Sequence, residues 1–328
     1  MSELRVGLIG AGGISRVHAD AWRALGVKGT VTSLAGAEEI AAEFGMTVAA
    51  DVPTLLSEVD VVDIVTPSGT HPAFALAAIG AGVHVVCEKP LAPTAVEAQR
   101  IVDAAAAAGV RIFPAHVVRY FPEYARIKEQ VDAGVIGEVA TQRFFRMGSA
   151  PSTPWFFQES TGGGVIRDLM IHDIDQALWF AGPAVSVYAV QNPPTVDDVV
   201  PQPVTAQVVL THASGAISHL QATWVAPGLP FRTSVEVSGS LGRLSYSSAE
   251  DTSLRLDALP TAATDYMPPM SPTDSPYFRE IADFVAALHQ GSDARVTGAD
   301  GVAAVAVAEA AYASIASGRP VTLAEVSR

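Results

Sequence analysis

From Arg5 to Phe113, short β-branched runs alternate with Ala-rich segments, and this alternation narrows the possible folds more than any other feature of the chain. A strand, helix and strand in succession return to one sheet as a right-handed parallel unit, so the pattern predicts a parallel sheet covered by helices. Strands are expected at residues 5–9, 30–34, 48–50, 59–66, 83–87 and 110–113, where near-continuous Val and Ile suit burial on both faces. Helices are expected at 13–25, 37–44, 71–80 and 94–108, with Gly26, Gly45, Gly80, Gly82 and Gly109 as stops.

After Phe121 the rhythm changes. A helix to about Ala133, a strand at 138–147, a Pro-rich loop at 148–164 and a helix at 165–180 lead into successive strands at 185–190, 204–211, 216–225, 233–238 and 243–246. Strands that follow one another without helices indicate an open, predominantly antiparallel sheet. The segment 251–276 is expected to be a surface loop, followed by closing helices at 276–289 and 299–317. The 328 residues thus divide into an α/β domain at 1–120 and a second α/β domain at 121–328, in line with about 150 residues per domain. The closing helices are free to pack back on the first domain. The open sheet favours a homodimer or homotetramer.

Composition narrows function by exclusion. Hydrophobic residues at 49 % and charged residues at 16 % rule out a disordered chain. A net charge of −14 opposes nucleic acid and anionic membranes. The single cysteine, Cys87, leaves no intrachain disulfide and fits a reducing, cytoplasmic setting. The start of the chain lacks the features of a targeting segment. The apolar stretch 302–316, interrupted by Glu309, falls short of the ~20 residues a bilayer requires and reads as a buried helix.

The first strand runs into Gly10-Ala11-Gly12-Gly13-Ile14-Ser15, a G-x-G-x-x-S turn at a strand–helix junction. Gly10 permits the tight turn and Gly12 lets a pyrophosphate approach the backbone. The amides of Gly13 and Ile14 at the helix start favour an anion. A Gly-rich turn without a ligand is the competing reading. An acidic residue is expected about 20 positions further on, to hold a ribose hydroxyl, but the second strand ends Val31-Thr32-Ser33-Leu34-Ala35-Gly36. With no carboxylate to repel a 2′-phosphate and Ser33 placed to donate to one, the sequence leans to NADP over NAD.

Glu88-Lys89-Pro90 follows the fifth strand at the carboxyl edge of the sheet, where open α/β sheets bind ligands. A lysine there reaches the nicotinamide ribose and a substrate oxygen, stabilising a developing alkoxide. The bland alternative is an exposed lysine paired with Glu88. Further on, Gly162-Gly163-Gly164 precedes a helix on which Asp168, His172 and Asp175 fall at i, i+4 and i+7, one stripe. A carboxylate one turn before an imidazole orients it and supports its charged form, which suits a general base near neutral pH. A solvent-facing polar stripe is the alternative. A metal site would need further ligands that the sequence does not place, so none is assigned.

Together with Thr66-Pro67-Ser68-Gly69-Thr70-His71, Arg119-Tyr120-Phe121-Pro122, the Trp224 segment, Val237-Ser238-Gly239-Ser240-Leu241-Gly242 and Ser317-Gly318-Arg319-Pro320-Val321, these motifs resemble the glucose-fructose oxidoreductase/inositol dehydrogenase (Gfo/Idh/MocA) family over nearly the whole chain. The resemblance implies a doubly wound Rossmann domain followed by an α/β domain with an open sheet. It also implies NAD(P)-dependent hydride transfer at a C–OH or C=O of a sugar, polyol or inositol. It assigns Lys89, Asp168 and His172 to catalysis: His172 removes the hydroxyl proton, Lys89 polarises the oxygen and Asp168 orients His172. Gly10, Gly12, Gly13, Ile14, Ser33, Thr66, Pro67, His71, Glu88 and Lys89 would hold the cofactor. Arg119, Trp155, Asp175 and Trp224, with the catalytic three, would face the substrate.

The sequence departs from the family pattern at Met170, often Gly, at Ser68, often Asn, and at the missing second-strand acid. These changes bear on pocket shape and cofactor choice rather than on the reaction. A cofactor-retaining enzyme that uses transient oxidation for glycoside cleavage, and a non-catalytic dinucleotide-binding regulator, are the alternatives. The joint presence of Lys89, Asp168 and His172 disfavours the regulator.

Overall fold

A computed structural model describes residues 4–249 and 275–323. In its first unit β1 (Arg5–Ile9), β2 (Lys28–Thr32), β3 (Thr47–Val48), β4 (Val61–Ile64), β5 (His84–Glu88) and β6 (Ile112–Ala115) form one sheet in the order β3-β2-β1-β4-β5-β6. Every pairing in it is parallel. Helices α1 (Gly13–Ala24), α2 (Ala37–Phe44), α3 (Val52–Glu58), α4 (His71–Gly80) and α5 (Ala95–Ala108) connect the strands. The order reverses between β1 and β4, and at such a switch point the loops leaving the carboxyl ends diverge and open a ligand crevice. Val6, Leu8, Val62, Ile64 and Val85 are wholly buried, as expected for strands covered on both faces. Helix α3 was not anticipated. Asp51 caps it, accepting the Thr54 N–H at 2.8 Å, and Pro53 sits in its first turn.

The second unit contains α6 (Pro122–Asp132), β7 (Val139–Ser149), α7 (Ile171–Ala181), β8 (Ala184–Asn192), β9 (Val204–His212), β10 (Ile217–Val225), β11 (Arg232–Gly239), β12 (Arg243–Ser247) and β13 (Val321–Thr322). Its sheet runs β12-β11-β7-β10-β9-β8-β13. The sheet is mixed rather than wholly antiparallel, because β7 lies between β11 and β10 and pairs with β10 in parallel. Side chains alternate: Ser218, Leu220, Ala222 and Trp224 of β10 are buried on one face, while Ile217 and His219 are exposed on the other.

Two closing helices follow, α8 (Pro276–Gln290) and α9 (Gly298–Ser317). The chain divides at Phe121/Pro122 and again at Val302/Ala303, so α8 and the first turn of α9 belong with the first unit. Within it Phe284 of α8 stacks on Phe113 of β6, ring centroids 4.9 Å apart. Among the described residues α9 is the one helix long and apolar enough to cross a membrane, and half of its most apolar window is buried in the protein. The loop expected at 251–276 lies, up to residue 274, outside the described residues.

Candidate active site

The phosphate-binding turn is built on backbone geometry. Gly10 has φ +117°, and a Cβ there would lie 2.6 Å from the Val65 carbonyl oxygen, so only glycine fits. A Cβ at Gly12 or Gly13 would meet nothing within 4 Å, which leaves the space above the turn open. No side chain caps α1, and the first amides of an uncapped helix suit a diphosphate. Ser15 is fully buried, the small residue that close helix–sheet packing needs. Ser33 lies just past the end of β2, followed by a fully exposed Leu34. The nearby α2 opens with Glu38 and Glu39, and Arg16 of α1 is paired with Glu39 at 3.6 Å and with Glu43.

The loops after β4 and β5 are tied together from below. Thr70 donates through its hydroxyl and its amide to the Pro67 carbonyl at 2.7 and 2.8 Å, and the Thr66 and Thr70 hydroxyls are 2.7 Å apart. His71, expected against the cofactor, is instead buried, its two ring nitrogens each 2.8 Å from a carbonyl oxygen, of Pro90 and of Thr66. Burial outweighs those contacts and lowers its pKa below the ordinary value. His71 fastens one loop to the other.

Glu88 departs from expectation in the same way, because it closes β5 on the inward side. Its Oε2 accepts the Lys89 N–H at 2.8 Å and its Oε1 lies 3.2 Å from His18 Nε2. His18 Nδ1 lies 2.9 Å from Asp63 Oδ2, which also accepts the Trp22 indole N–H at 2.7 Å. His18 and Asp63 are wholly buried. Burial works against the charged imidazole, but the charges and hydrogen bonds of Asp63 and then Glu88 prevail and raise its pKa well above the ordinary value. For Glu88 burial is again the largest influence, and His18 and Lys89 overcome it to hold the carboxyl low. Burial pushes the Cys87 thiol up, so this cysteine is unreactive.

Around Gly162, Gly163 and Gly164, space rather than charge arranges the chain. A Cβ at Gly162 would strike the Trp155 carbonyl oxygen, and one at Gly163 (φ +77°) would strike the Arg167 side chain. At Gly164 (φ +56°) it would lie 2.6 Å from Val200 Cγ2. The close approach that the triple glycine implies is therefore by the protein's own chain. It seats the 3₁₀ turn Pro154–Phe157, on which Trp155 stacks against Phe156 at 3.8 Å. Arg167 donates to the Glu159 carbonyl at 2.9 Å and lies over the Tyr312 ring, whose hydroxyl bonds the Gly163 carbonyl.

The expected continuous helix is interrupted. Ile166–Met170 forms one π turn that carries Asp168, and α7 then begins and carries His172. Single π turns inside helices recur at functional sites. The regular stripe therefore holds for His172 and Asp175 on α7, while Asp168 is placed by the wider turn. Asp168 and Asp175 are buried and His172 is half-buried. The residue after His172 anchors the helix: Asp173 takes a two-pronged contact from Arg146 of β7, at 2.9 and 2.7 Å, with both side chains buried.

Two residues expected to face substrate are engaged elsewhere. The Arg119 guanidinium is buried in the first unit, bonded to Asp300 at 3.0 Å and to the Arg295 carbonyl at 3.1 Å, and so anchors the start of α9. Trp224 is wholly buried because alternation along β10 puts it on the covered face, where Phe157 meets it edge-on at 5.5 Å. It is a platform beneath the loop. Sequence reasoning missed His18, Asp63, Arg146 and Asp173. A charged residue inside the buried strand Val61-Val62-Asp63-Ile64 was the available signal.

These features define a unit with a glycine-rich strand–helix turn suited to a dinucleotide and a unit with His172 on a glycine-led helix. Residues 4–116 match the model of an oxidoreductase family with an NAD-binding Rossmann fold, and residues 124–245 that of the GFO/IDH/MocA C-terminal domain. Inositol 2-dehydrogenase 4 of Saccharopolyspora erythraea is 30 % identical, over 98 % of this chain and 97 % of its own. Among solved structures, GenD2 from gentamicin A biosynthesis, in complex with NAD, aligns with TM-score 0.86 at 26 % identity over 99 % of this chain and 97 % of that one. Levoglucosan dehydrogenase with NADH and L-sorbose aligns with TM-score 0.84 at 25 % identity over 99 % and 100 %. The chain belongs to the Gfo/Idh/MocA family and is an NAD(P)-dependent oxidoreductase acting on CH–OH groups.

Proposed function

We propose that this enzyme interconverts a ring carbinol and its ketone on a cyclic polyol or sugar, with Lys89 and His172 as its catalytic groups. The observation that carries the reading is a lysine directly past the end of β5 together with a histidine in the first turn of α7. Both occur in a chain that aligns end to end with an inositol dehydrogenase. The open turn at Gly10, Gly12, Gly13 and Ile14 fits a pyrophosphate, with Thr66 and Pro67 beside it at the carboxyl edge. A bound nicotinamide supplies the hydride acceptor. The chain's own groups do the rest: His172 takes the hydroxyl proton, Lys89 donates to the oxygen as negative charge grows there, and Asp168 orients the imidazole. Asp175 and Trp155 contact the remaining hydroxyls and the ring.

The preferred cofactor is NAD, against the lean from sequence alone. The helix α2 that follows Ser33 in the chain opens with Glu38 and Glu39, whose charge disfavours a 2′-phosphate, and Arg16 is already paired with Glu39 and Glu43. The enzyme works in the cytoplasm, consistent with one buried thiol and a net charge of −14. It assembles as a homodimer or homotetramer through the open sheet face, which carries Phe145, Val209 and His219. A panel of inositols, sugars and ketosugars, followed by absorbance of the reduced nicotinamide with each cofactor, tests the reading. Steady turnover of at least one cyclic polyol or sugar is expected, with a preference for NAD of about tenfold or more. No turnover across the panel would overturn it.

A further inference from the structure

Beneath the loop that carries Lys89, three ionisable side chains from three elements are enclosed together: His18 of α1, Asp63 of β4 and Glu88 at the end of β5. Each ring nitrogen of His18 lies within hydrogen-bond distance of a carboxylate oxygen. A neutral imidazole has one N–H and would turn a lone pair toward one of those oxygens, so two carboxylates on the two ring nitrogens suit the doubly protonated ring. The remaining contacts extend the chain at both ends. Trp22 donates to Asp63, and the Lys89 amide donates to the free oxygen of Glu88.

Such a cluster is an expensive way to fill a core. Removing charges from water costs several kcal/mol per ion, and apolar side chains of the same volume often serve stability as well or better. The Gly10 turn is built on backbone groups and not on these side chains. What the cluster does control is the direction of Glu88. Held by His18, the carboxylate points into the sheet and receives the backbone of Lys89. Released from His18, it would be a buried anion near the Asp63 carboxylate, and the Lys89 ammonium, whose charge already acts on Glu88, would be drawn toward it.

We propose that His18 is a positioning residue for Lys89, acting through Glu88: it keeps the carboxylate turned inward, so that the Lys89 backbone is fixed and its ammonium is directed to the substrate. This rests on the reading of Lys89 as a catalytic group. Asp63 sets the His18 ring, and Trp22 sets Asp63.

A kinetic double-mutant cycle tests it, with the polyol identified by the panel and NAD as cofactor. His18→Gln is expected to lower kcat about 10- to 100-fold while Kd for NADH, read by fluorescence, stays within about threefold. In a Lys89→Met background, assayed over long times, the same change should lower the residual rate less than about twofold. Adding Glu88→Gln to His18→Gln should recover part of the loss, because the uncharged amide no longer captures the ammonium. An equal loss in the Lys89→Met background, or a His18→Gln enzyme with unchanged kcat, overturns the proposal. If Lys89→Met alone turns over at the wild-type rate, the assignment of Lys89 falls and this inference with it, an outcome separate from failure of the cycle. Should His18→Gln not yield folded protein, Glu88→Gln alone closes the same cycle with Lys89→Met and is judged by the same coupling.

Discussion

Lys89 and His172 stand on supports of opposite character. Behind Lys89 the support is electrostatic, with His18 between Asp63 and Glu88, and the Lys89 amide on the far oxygen of Glu88. Around His172 it is mainly steric, made of three glycines that each exclude a side chain, one π turn, and a self-neutralising Arg146–Asp173 pair. The difference follows from what each group must do. In the proposed reaction Lys89 acts as a fixed donor, and fixed charges beneath it are compatible with that task. In the proposed reaction His172 gains and loses a proton, and the support around it is made largely of shape.

The sharpest way to break this contrast is to put an uncompensated charge under His172. Arg146→Ala strands Asp173 in the core and should destabilise the protein by about 3–5 kcal/mol in urea unfolding, whereas Arg146→Met combined with Asp173→Leu should recover most of that loss. A smaller effect is expected from shape alone. Gly164→Ala forces an L side chain into φ +56° against Val200 and should cost about 1–3 kcal/mol, with KM for the polyol rising as the Trp155 turn shifts. The smallest effect at neutral pH, read as a slope, belongs to the Lys89 side. The pKa of His18 is raised above 6.5, so its stabilisation is complete below pH 6.5 and is lost as pH climbs through the folded-state value. Glu88 is held below 4.5, so its contribution is present above pH 4.5 and disappears as pH falls. Thermal midpoints followed from about pH 6 to about pH 10 should decline more steeply for the wild type than for His18→Gln.

Much of the first unit was readable because its signals are local. The strand at Arg5–Ile9 and the helices Ala37–Phe44 and His71–Gly80 fall where β-branched runs, glycine stops and the G-x-G-x-x-S turn place them. Lys89 and His172 stand out in the sequence as candidates for the same reason, each next to a punctuating motif. The misreadings involve partners distant in sequence. Arg119 looked available to a substrate, but Asp300, which takes its charge, lies on another element 181 residues away. His71 and Glu88 were assigned to the cofactor because spacing gives the edge of the sheet without saying which way a side chain turns. Parallel pairing of β7 with β10 could not be inferred from a run of successive strands. Helix α3 could have been found, since Asp51 followed by Pro53 is a start signal.

The central proposal is that Lys89 and His172 are both catalytic groups. It is tested most directly by measuring kcat for Lys89→Met and His172→Asn on the polyol that the wild type turns over best, with NADH affinity measured alongside. Each variant is expected to lose about 10³-fold in kcat while binding NADH within a few-fold of the wild type. Near wild-type turnover by either variant would contradict the account.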